Sequence, residues 1–201
     1  INTGLLIMLL LNYFDGIHKN YKKLFFSGIS FNTRSLKKNN IFFGIKGKNF
    51  DGNKFVNQAF KNGASTSINE NKKKNKFKND IYVKNSLKTF SKIAKRVRAS
   101  SNISSVAITG SSGKTSLKEM LGQMMSKIYK TSYSKKSFNN KYGVPISLFN
   151  INKDDKIGIF EVGMDKKGEI DFLTKKIMPN VSVITNISYA HIKNFQNIKG
   201  I

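Results

Sequence analysis

Apolar positions along the chain follow two patterns. Short continuous apolar runs, Asn40-Ile41-Phe42-Phe43-Gly44-Ile45 and Val106-Ala107-Ile108, read as buried strands, and Ile157-Gly158-Ile159-Phe160 and Val181 to Ile184 as further strands. Leu87, Phe90, Ile93, Ala94 and Val97 instead recur at helical spacing and predict a helix from Ser86, as N-cap, to about Arg98. In the first half a helix is also expected from Lys54 to Lys61, with Phe55, Ala59 and Phe60 facing inward and Asn62-Gly63 closing it. Alternation is weak from Ala64 to Ile68, and Ile81-Tyr82-Val83 is a better strand. Gly28 to Ser35 is polar behind a short apolar lead. In the second half the expected order is strand 105–109, helix 114–128, a strand near 130–134, strand 157–162, helix 168–177 and strand 181–185. Strands alternating with helices imply an α/β fold with a mostly parallel sheet covered on both faces. The small polar connector Ser100 to Ser104 sets a domain boundary, giving domains 1–103 and 104–201.

One junction in this pattern carries chemistry. Val106-Ala107-Ile108-Thr109-Gly110-Ser111-Ser112-Gly113-Lys114-Thr115-Ser116 is a buried strand, a glycine turn and a helix start. Such a turn presents successive backbone N–H groups at the positive end of a helix, where phosphates bind. Lys114 supplies a point charge for β- and γ-phosphates and Thr115 a hydroxyl for Mg²⁺. The turn is the short form G-x-x-G-K-T, because Ile108 stands where the longer loop has its first glycine.

Three more stretches end expected strands, the edge at which open α/β sheets bind ligands. Glu161, before Val162-Gly163-Met164, is placed to coordinate Mg²⁺ beside Thr115; an ordinary loop acid is the alternative. Asn139 and Asn140, before Gly143-Val144-Pro145, either orient phosphate or carboxylate oxygens or form a turn. His191 follows Thr185-Asn186-Ile187 and falls near the phosphates or on the surface.

Composition changes this picture little. The chain of 201 residues is long enough to bury a real core, and without cysteine it has no disulfide framework and no thiolate metal site. A net charge of +25 invites a nucleic-acid partner, but the lysines are dispersed along the whole sequence. The dense run Asn71 to Lys78 reads as a solvated loop. Leu5 to Leu11 is too short to span a bilayer and lacks signal-peptide flanks, so a buried first helix is expected there; His18 reads as a surface residue.

Together these motifs resemble those of the Mur ligases. Thr109 to Thr115 matches the family's ATP loop. Asn139-Asn140 through Gly143-Val144-Pro145 is similar to the N-N-x-x-G-x-P stretch of the type that adds D-alanyl-D-alanine to UDP-N-acetylmuramoyl-tripeptide. Glu161-Val162-Gly163-Met164 with Gly168-Glu169-Ile170 resembles E-x-G-M…G-E-I, and Asn186-Ile187 with Ala190-His191 resembles N-I-x-x-A-H. Ser30-Phe31-Asn32-Thr33-Arg34 and Lys46 to Gly52 resemble the uridine-side motifs S-x-D-S-R and G-x-N-F-D-G; Asn32 stands for the usual Asp, and Asn53 where His is common.

The resemblance implies an ATP- and Mg²⁺-dependent ligase of peptidoglycan precursor synthesis that works through an acyl phosphate. It implies ATP contacts from Gly110, Ser111, Ser112, Gly113, Lys114, Thr115, Ser116, Asn139 and Asn140. Catalytic roles fall to Lys114, Glu161 and His191, with Thr115, Glu161 and His191 as metal ligands. The UDP-linked substrate would be anchored by Ser30, Thr33, Arg34, Asn49, Asp51 and Gly52. A UDP-binding domain, 1–103, would precede the first part of the ATP-binding domain, 104–201, so the chain reads as an N-terminal part of such an enzyme. A cytoplasmic monomer without nucleic-acid partner or membrane insertion is expected. Alternatives are a sister Mur-type ligase, a folylpolyglutamate synthetase, a nucleic-acid-dependent P-loop NTPase suggested by the charge, or a non-catalytic nucleotide-binding module.

Overall fold

The structure, a computed structural model, describes residues 26–47, 49–72, 77, 79–134, 136–189 and 192–194. The expected first helix at Leu5 to Leu11, His18 and His191 lie outside the described residues. The chain divides into two compact units, Ile1–Ile93 and Ala94–Ile201. The division falls inside a helix, upstream of the polar connector.

In the first unit, strands β1 (Gly28–Ser30), β2 (Asn40–Phe43), β3 (Thr66–Asn69) and β4 (Asp80–Tyr82) form a parallel sheet in that order. The register pairs Ile29 with Ile41, Ile41 with Thr66 and Ile68 with Ile81. β2 is buried along its whole length. One core cluster gathers Phe42, Val56, Ala59 and Ala64, with Leu36 and Phe60 packed on it. Elsewhere the rings of Phe31, Phe43 and Phe90 meet at centroid distances of 4.8 to 5.8 Å. β3 shows no alternation because all four of its residues are buried, as expected of an interior parallel strand. β1 is a strand that the polar reading of Gly28 to Ser35 did not anticipate.

Two helix details differ from expectation. Helix α1 (Val56–Lys61) is preceded by a 3₁₀ turn, Gly52–Phe55, because the Asp51 carboxylate accepts from the Asn53 N–H at 3.0 Å. That turn rotates the helix so that Val56 and Ala59 face inward. Phe55 is exposed and stacks on Phe50. Helix α2 (Ser86–Ala99) is capped by Asn85, whose Oδ1 accepts from the Lys88 N–H at 2.7 Å, and not by Ser86. Ser86 is a buried helical residue whose N–H donates to Glu70.

The second unit contains β5 (Ser104–Thr109), α3 (Lys114–Ser126), β6 (Thr131–Tyr133), α4 (Gly143–Phe149), β7 (Ile157–Glu161), α5 (Glu169–Ile177) and β8 (Val181–Ile184). A short 3₁₀ turn, Ile192–Asn194, follows. The sheet is parallel with the order β6-β7-β5-β8, so Thr109, Tyr133, Glu161 and Ile184 end on one edge. The connection from β5 runs to one side of it and that from β7 to β8 passes to the other. Ligands bind at this kind of switch point. α3 packs on β6 and β7, and α5 on β5. α4 occupies what the sequence left as a possible turn. Asn140 Oδ1 accepts from the Tyr142 and Gly143 N–H groups at 3.0 Å each, which starts the helix. Pro145, in its first turn, needs no donor there.

Candidate functional site

The glycine turn has the backbone conformation its residues imply. Gly110 has φ of 135° and Gly113 has φ of 77°, values that side chains disfavour. A Cβ on Gly110 would also run into Thr185 Oγ1 and the backbone of Asn186. The segment after β8 binds the turn closely. Asn186 accepts at its carbonyl from the Ser111 N–H and at its Oδ1 from the Ser112 N–H, both at 3.0 Å. Asn186 Nδ2 donates to Ser112 Oγ at 2.7 Å, and Thr185 Oγ1 donates to the Ser112 carbonyl at 2.6 Å. The Ser188 N–H donates to Ser111 Oγ. Lys114 folds back, its Nζ donating to the Gly110 carbonyl at 2.6 Å. Ser116 is exposed on the first turn of α3.

Beside the turn, Thr115, Glu161 and Asn139 come together. Thr115 Oγ1 donates to Glu161 Oε2 at 2.9 Å and lies 3.2 Å from Ser137 Oγ. Asn139 Nδ2 donates to Glu161 Oε1 at 2.9 Å, while its carbonyl accepts from the Gly163 N–H. Glu161 is buried. Asn140 is engaged in capping α4, yet it lines the same cavity as Asn139. That cavity, of about 440 Å³, runs from Gly110, Ser111 and Lys114 toward Ile170 and Leu173 on α5.

The sequence reading missed two participants. Lys118 has a fully buried side chain and its Nζ is 3.9 Å from Glu161 Oε2. Its signal was the i, i+3 spacing from Thr115, which puts both on one helix face; a lysine is expected outside, so the spacing went unread. Ser137 had no signal, being one serine among many. Among the described residues no group of three or more His, Cys, Asp or Glu could hold a metal. Thr115 and Glu161 are hard oxygen donors, the set Mg²⁺ uses when substrate phosphates complete its shell, so the residues fit that ion.

The first-unit residues form local structure. Asn32 Oδ1 accepts from the Arg34 N–H at 2.9 Å, and Ser30 Oγ donates to the Asn32 carbonyl at 2.8 Å. The Asn at position 32 thus keeps the turn that an Asp would make. The Thr33 carbonyl accepts from Asn62 Nδ2, and Arg34 is exposed. Asn49 is exposed, and the loop it lies in closes through the Gly47 N–H to the Phe50 carbonyl and the Gly52 N–H to the Ile45 carbonyl. Asn53 is buried and connects that loop to the end of β3. Its Nδ2 donates to Asp51 Oδ1 at 2.6 Å, and its Oδ1 accepts from the Glu70 N–H at 2.8 Å. The Asn53 side chain first, then its backbone N–H, Lys46 and Lys54, hold the Asp51 carboxyl below its usual range against a smaller opposing effect of burial.

Comparison with known proteins gives this geometry a family. The family model described as "Mur ligase family, catalytic domain" matches residues 26–129, over half of the chain, and "Mur ligase middle domain" matches residues 108–201. The chain belongs to the Mur ligase family. It is 37% identical over 86% of its length to UDP-N-acetylmuramoyl-tripeptide--D-alanyl-D-alanine ligase of Buchnera aphidicola subsp. Baizongia pistaciae, of which it covers 38%. It is 31% identical over 90% of its length to the enzyme of that name from Bacillus subtilis, of which it covers 40%. Among solved structures, MurF from Acinetobacter baumannii superposes with a TM-score of 0.85 at 28% identity, covering 96% of this chain and 43% of that one. MurF ligase from Thermotoga maritima in complex with ADP superposes with a TM-score of 0.77 at 30% identity, covering 85% and 40%. This Mur ligase chain therefore spans about two fifths of the length of these relatives. Among its described residues no helix is long and apolar enough to cross a membrane.

Proposed function

We propose that this chain supplies the nucleotide-sugar-anchoring and phosphate-binding parts of an ATP-dependent ligase that joins D-alanyl-D-alanine to UDP-N-acetylmuramoyl-tripeptide. The observation that carries the reading is the Thr115–Glu161–Asn139 constellation beside the Gly110–Lys114 turn. The names of the relatives and the ADP in one of the solved structures support the substrates and the nucleotide.

In this reading residues 1–103 anchor the uridine side through Ser30, Thr33, Arg34, Asn49, Asp51 and Gly52. Residues 104–201 begin the ATP-binding domain. Backbone N–H groups where the turn enters α3, with Ser111, Ser112 and Ser116, are assigned to the phosphates; the Ser111 and Ser112 N–H groups would first have to exchange Asn186 for them. Lys114 leaves the Gly110 carbonyl to neutralise the γ-phosphate. Thr115 and Glu161 would hold Mg²⁺, with His191 assigned to a second ion from its motif alone. When bound, Mg²⁺ lowers the repulsion between two anions, the substrate carboxylate and the γ-phosphate. Asn139 keeps Glu161 in place, and Asn140 lines the cavity beside it.

The γ-phosphoryl group passes to the terminal carboxylate of the tripeptide with ADP as leaving group. The D-alanyl-D-alanine amine then attacks the acyl carbon, phosphate leaves, and the amine's proton goes to solvent. Use of ATP and a nucleotide-linked precursor favours a cytoplasmic reaction, and a monomer is the oligomeric state we propose for it. The protein containing this chain, given UDP-linked tripeptide, D-alanyl-D-alanine and ATP, should release phosphate only when both acceptor and donor are present. Release with a different acceptor, or stimulation by nucleic acid, would refute the reading.

A further inference from the structure

Lys118 is a charged residue that this mechanism does not use. It lies on α3, and its side chain has no solvent exposure. Its Nζ is 3.1 Å from Glu119 Oε1, 3.1 Å from the Lys136 carbonyl, 3.5 Å from Ser134 Oγ and 3.9 Å from Glu161 Oε2. Those partners fix the ammonium in place, and burial keeps it from swinging out to water. Among the described residues, Lys118 alone brings an ammonium within 4.0 Å of Glu161. The Glu161 side chain is 1% exposed, and a carboxylate so buried is costly without a positive neighbour.

We propose that Lys118 is the built-in counter-ion of the Glu161 carboxylate, a positioning residue that makes the site take a divalent cation together with nucleotide phosphates and not alone. The inference rests on the assignment of Glu161 as a Mg²⁺ ligand. A free dication approaching Glu161 meets a carboxylate partly offset by an ammonium that Glu161 shares with Glu119, so the net attraction is reduced. ATP brings several negative charges of its own and restores the attraction. Removing the Lys118 charge leaves Glu161 and its neighbour Glu119 uncompensated, which makes a stronger site for a bare cation. A purely structural lysine would give no such gain.

The test titrates the nucleotide-free protein with Mn²⁺, followed by electron paramagnetic resonance, for the wild type, Lys118→Met, Lys118→Arg and the double variant Lys118→Met/Glu161→Gln. Lys118→Met should bind Mn²⁺ about tenfold or more tightly than the wild type, the scale of one unit charge lost at this distance in a partly screened site. Lys118→Arg, which keeps the charge, should stay close to the wild type. Adding Glu161→Gln should abolish the gain. In thermal melts Lys118→Met should be less stable than the wild type in a chelator and should recover with Mn²⁺, because the metal replaces the missing counter-ion. If Lys118→Met does not fold without metal, Lys118→Gln, which keeps a donor for the Lys136 carbonyl, carries the same titration. Equal Mn²⁺ affinity in the wild type and the charge-removed variant overturns the inference while leaving the ligase reading standing. A gain that survives Glu161→Gln overturns both the inference and the role of Glu161. Absence of any metal dependence in ATP binding by the wild type overturns the phosphate-site reading, and the inference with it.

Discussion

Arg98 allows a stability prediction to be worked from its contacts. It ends α2 with 7% exposure, and burial pushes its guanidinium below its usual basicity. Nε donates to the Ile177 carbonyl at 2.7 Å; Nη2 donates to Ser105 Oγ at 2.7 Å and to the Met178 carbonyl at 3.0 Å. Ile177 closes α5, so the guanidinium meets the negative end of the helix whose other turns line the cavity. Arg98→Met keeps the apolar stem and removes the fork. The Met178 carbonyl and Ser105 Oγ still have each other at 3.0 Å. The Ile177 carbonyl loses its charged donor. One stranded buried acceptor costs about 1–3 kcal/mol, and a lost charge-assisted bond contributes a similar amount, so about 3 kcal/mol is expected in all. For a unit of roughly a hundred residues that is a fall in Tm of about 12 °C or more. Calorimetric melting of the variant beside the wild type measures it, and Arg98→Lys should recover only part of the loss. A fall below about 2 °C for Arg98→Met would refute the assignment of Arg98 as the clamp of α5.

Three further outcomes follow from particular residues. Gly110→Ala should cost at least about 1 kcal/mol from backbone strain alone and weaken nucleotide binding through its clash with Thr185 and Asn186; unchanged affinity by calorimetry would contradict the tight strap on the turn. The Asp51 carboxyl, held low chiefly by the Asn53 side chain, should titrate by NMR with a midpoint below 3.8. A depressed folded-state pKa stabilises above the unfolded value, so the loop's contribution persists at neutral pH and fades only as pH falls from about 3.8 through that lower midpoint; Asp51→Asn should remove this acid dependence, and a midpoint at or above 3.8 would contradict the Asn53 contact. Asn139→Ala should leave the fold intact and lower ATP turnover by about tenfold, because Glu161 Oε1 loses its donor; a normal rate would show that Glu161 needs no such support.

Much of this arrangement could be read from the chain, for identifiable reasons. The β5–turn–α3 unit was legible because a buried strand, two glycines, Lys114 and Thr115 each carry a separate signal at one junction. α2 was legible because five apolar residues keep one period. α4 was hidden: Gly143-Val144-Pro145 has the composition of a turn, and only the Asn140 side chain, bonded to the two N–H groups ahead of it, shows that a helix begins there. β1 is three residues long and half polar, too short for a pattern. On α3 the inward face is set by Lys118 and Gly122, with the Tyr133 ring against the glycine, while Met120 and Met124 are exposed. Hydrophobic periodicity points the other way there, which is why Lys118 escaped notice.

The central claim is that the Gly110–Thr115 turn, with Glu161, is the phosphate site, and Lys114→Ala tests it most directly. Lys114 is half-buried and, among the described residues, bonded to carbonyls of its own turn, so its removal should leave the circular dichroism spectrum unchanged. Phosphate release from ATP by the protein containing this chain should fall by about a hundredfold or more, the scale of losing one preorganised charge at the reacting group. A Lys114→Ala enzyme that releases phosphate at a near-normal rate would contradict the account.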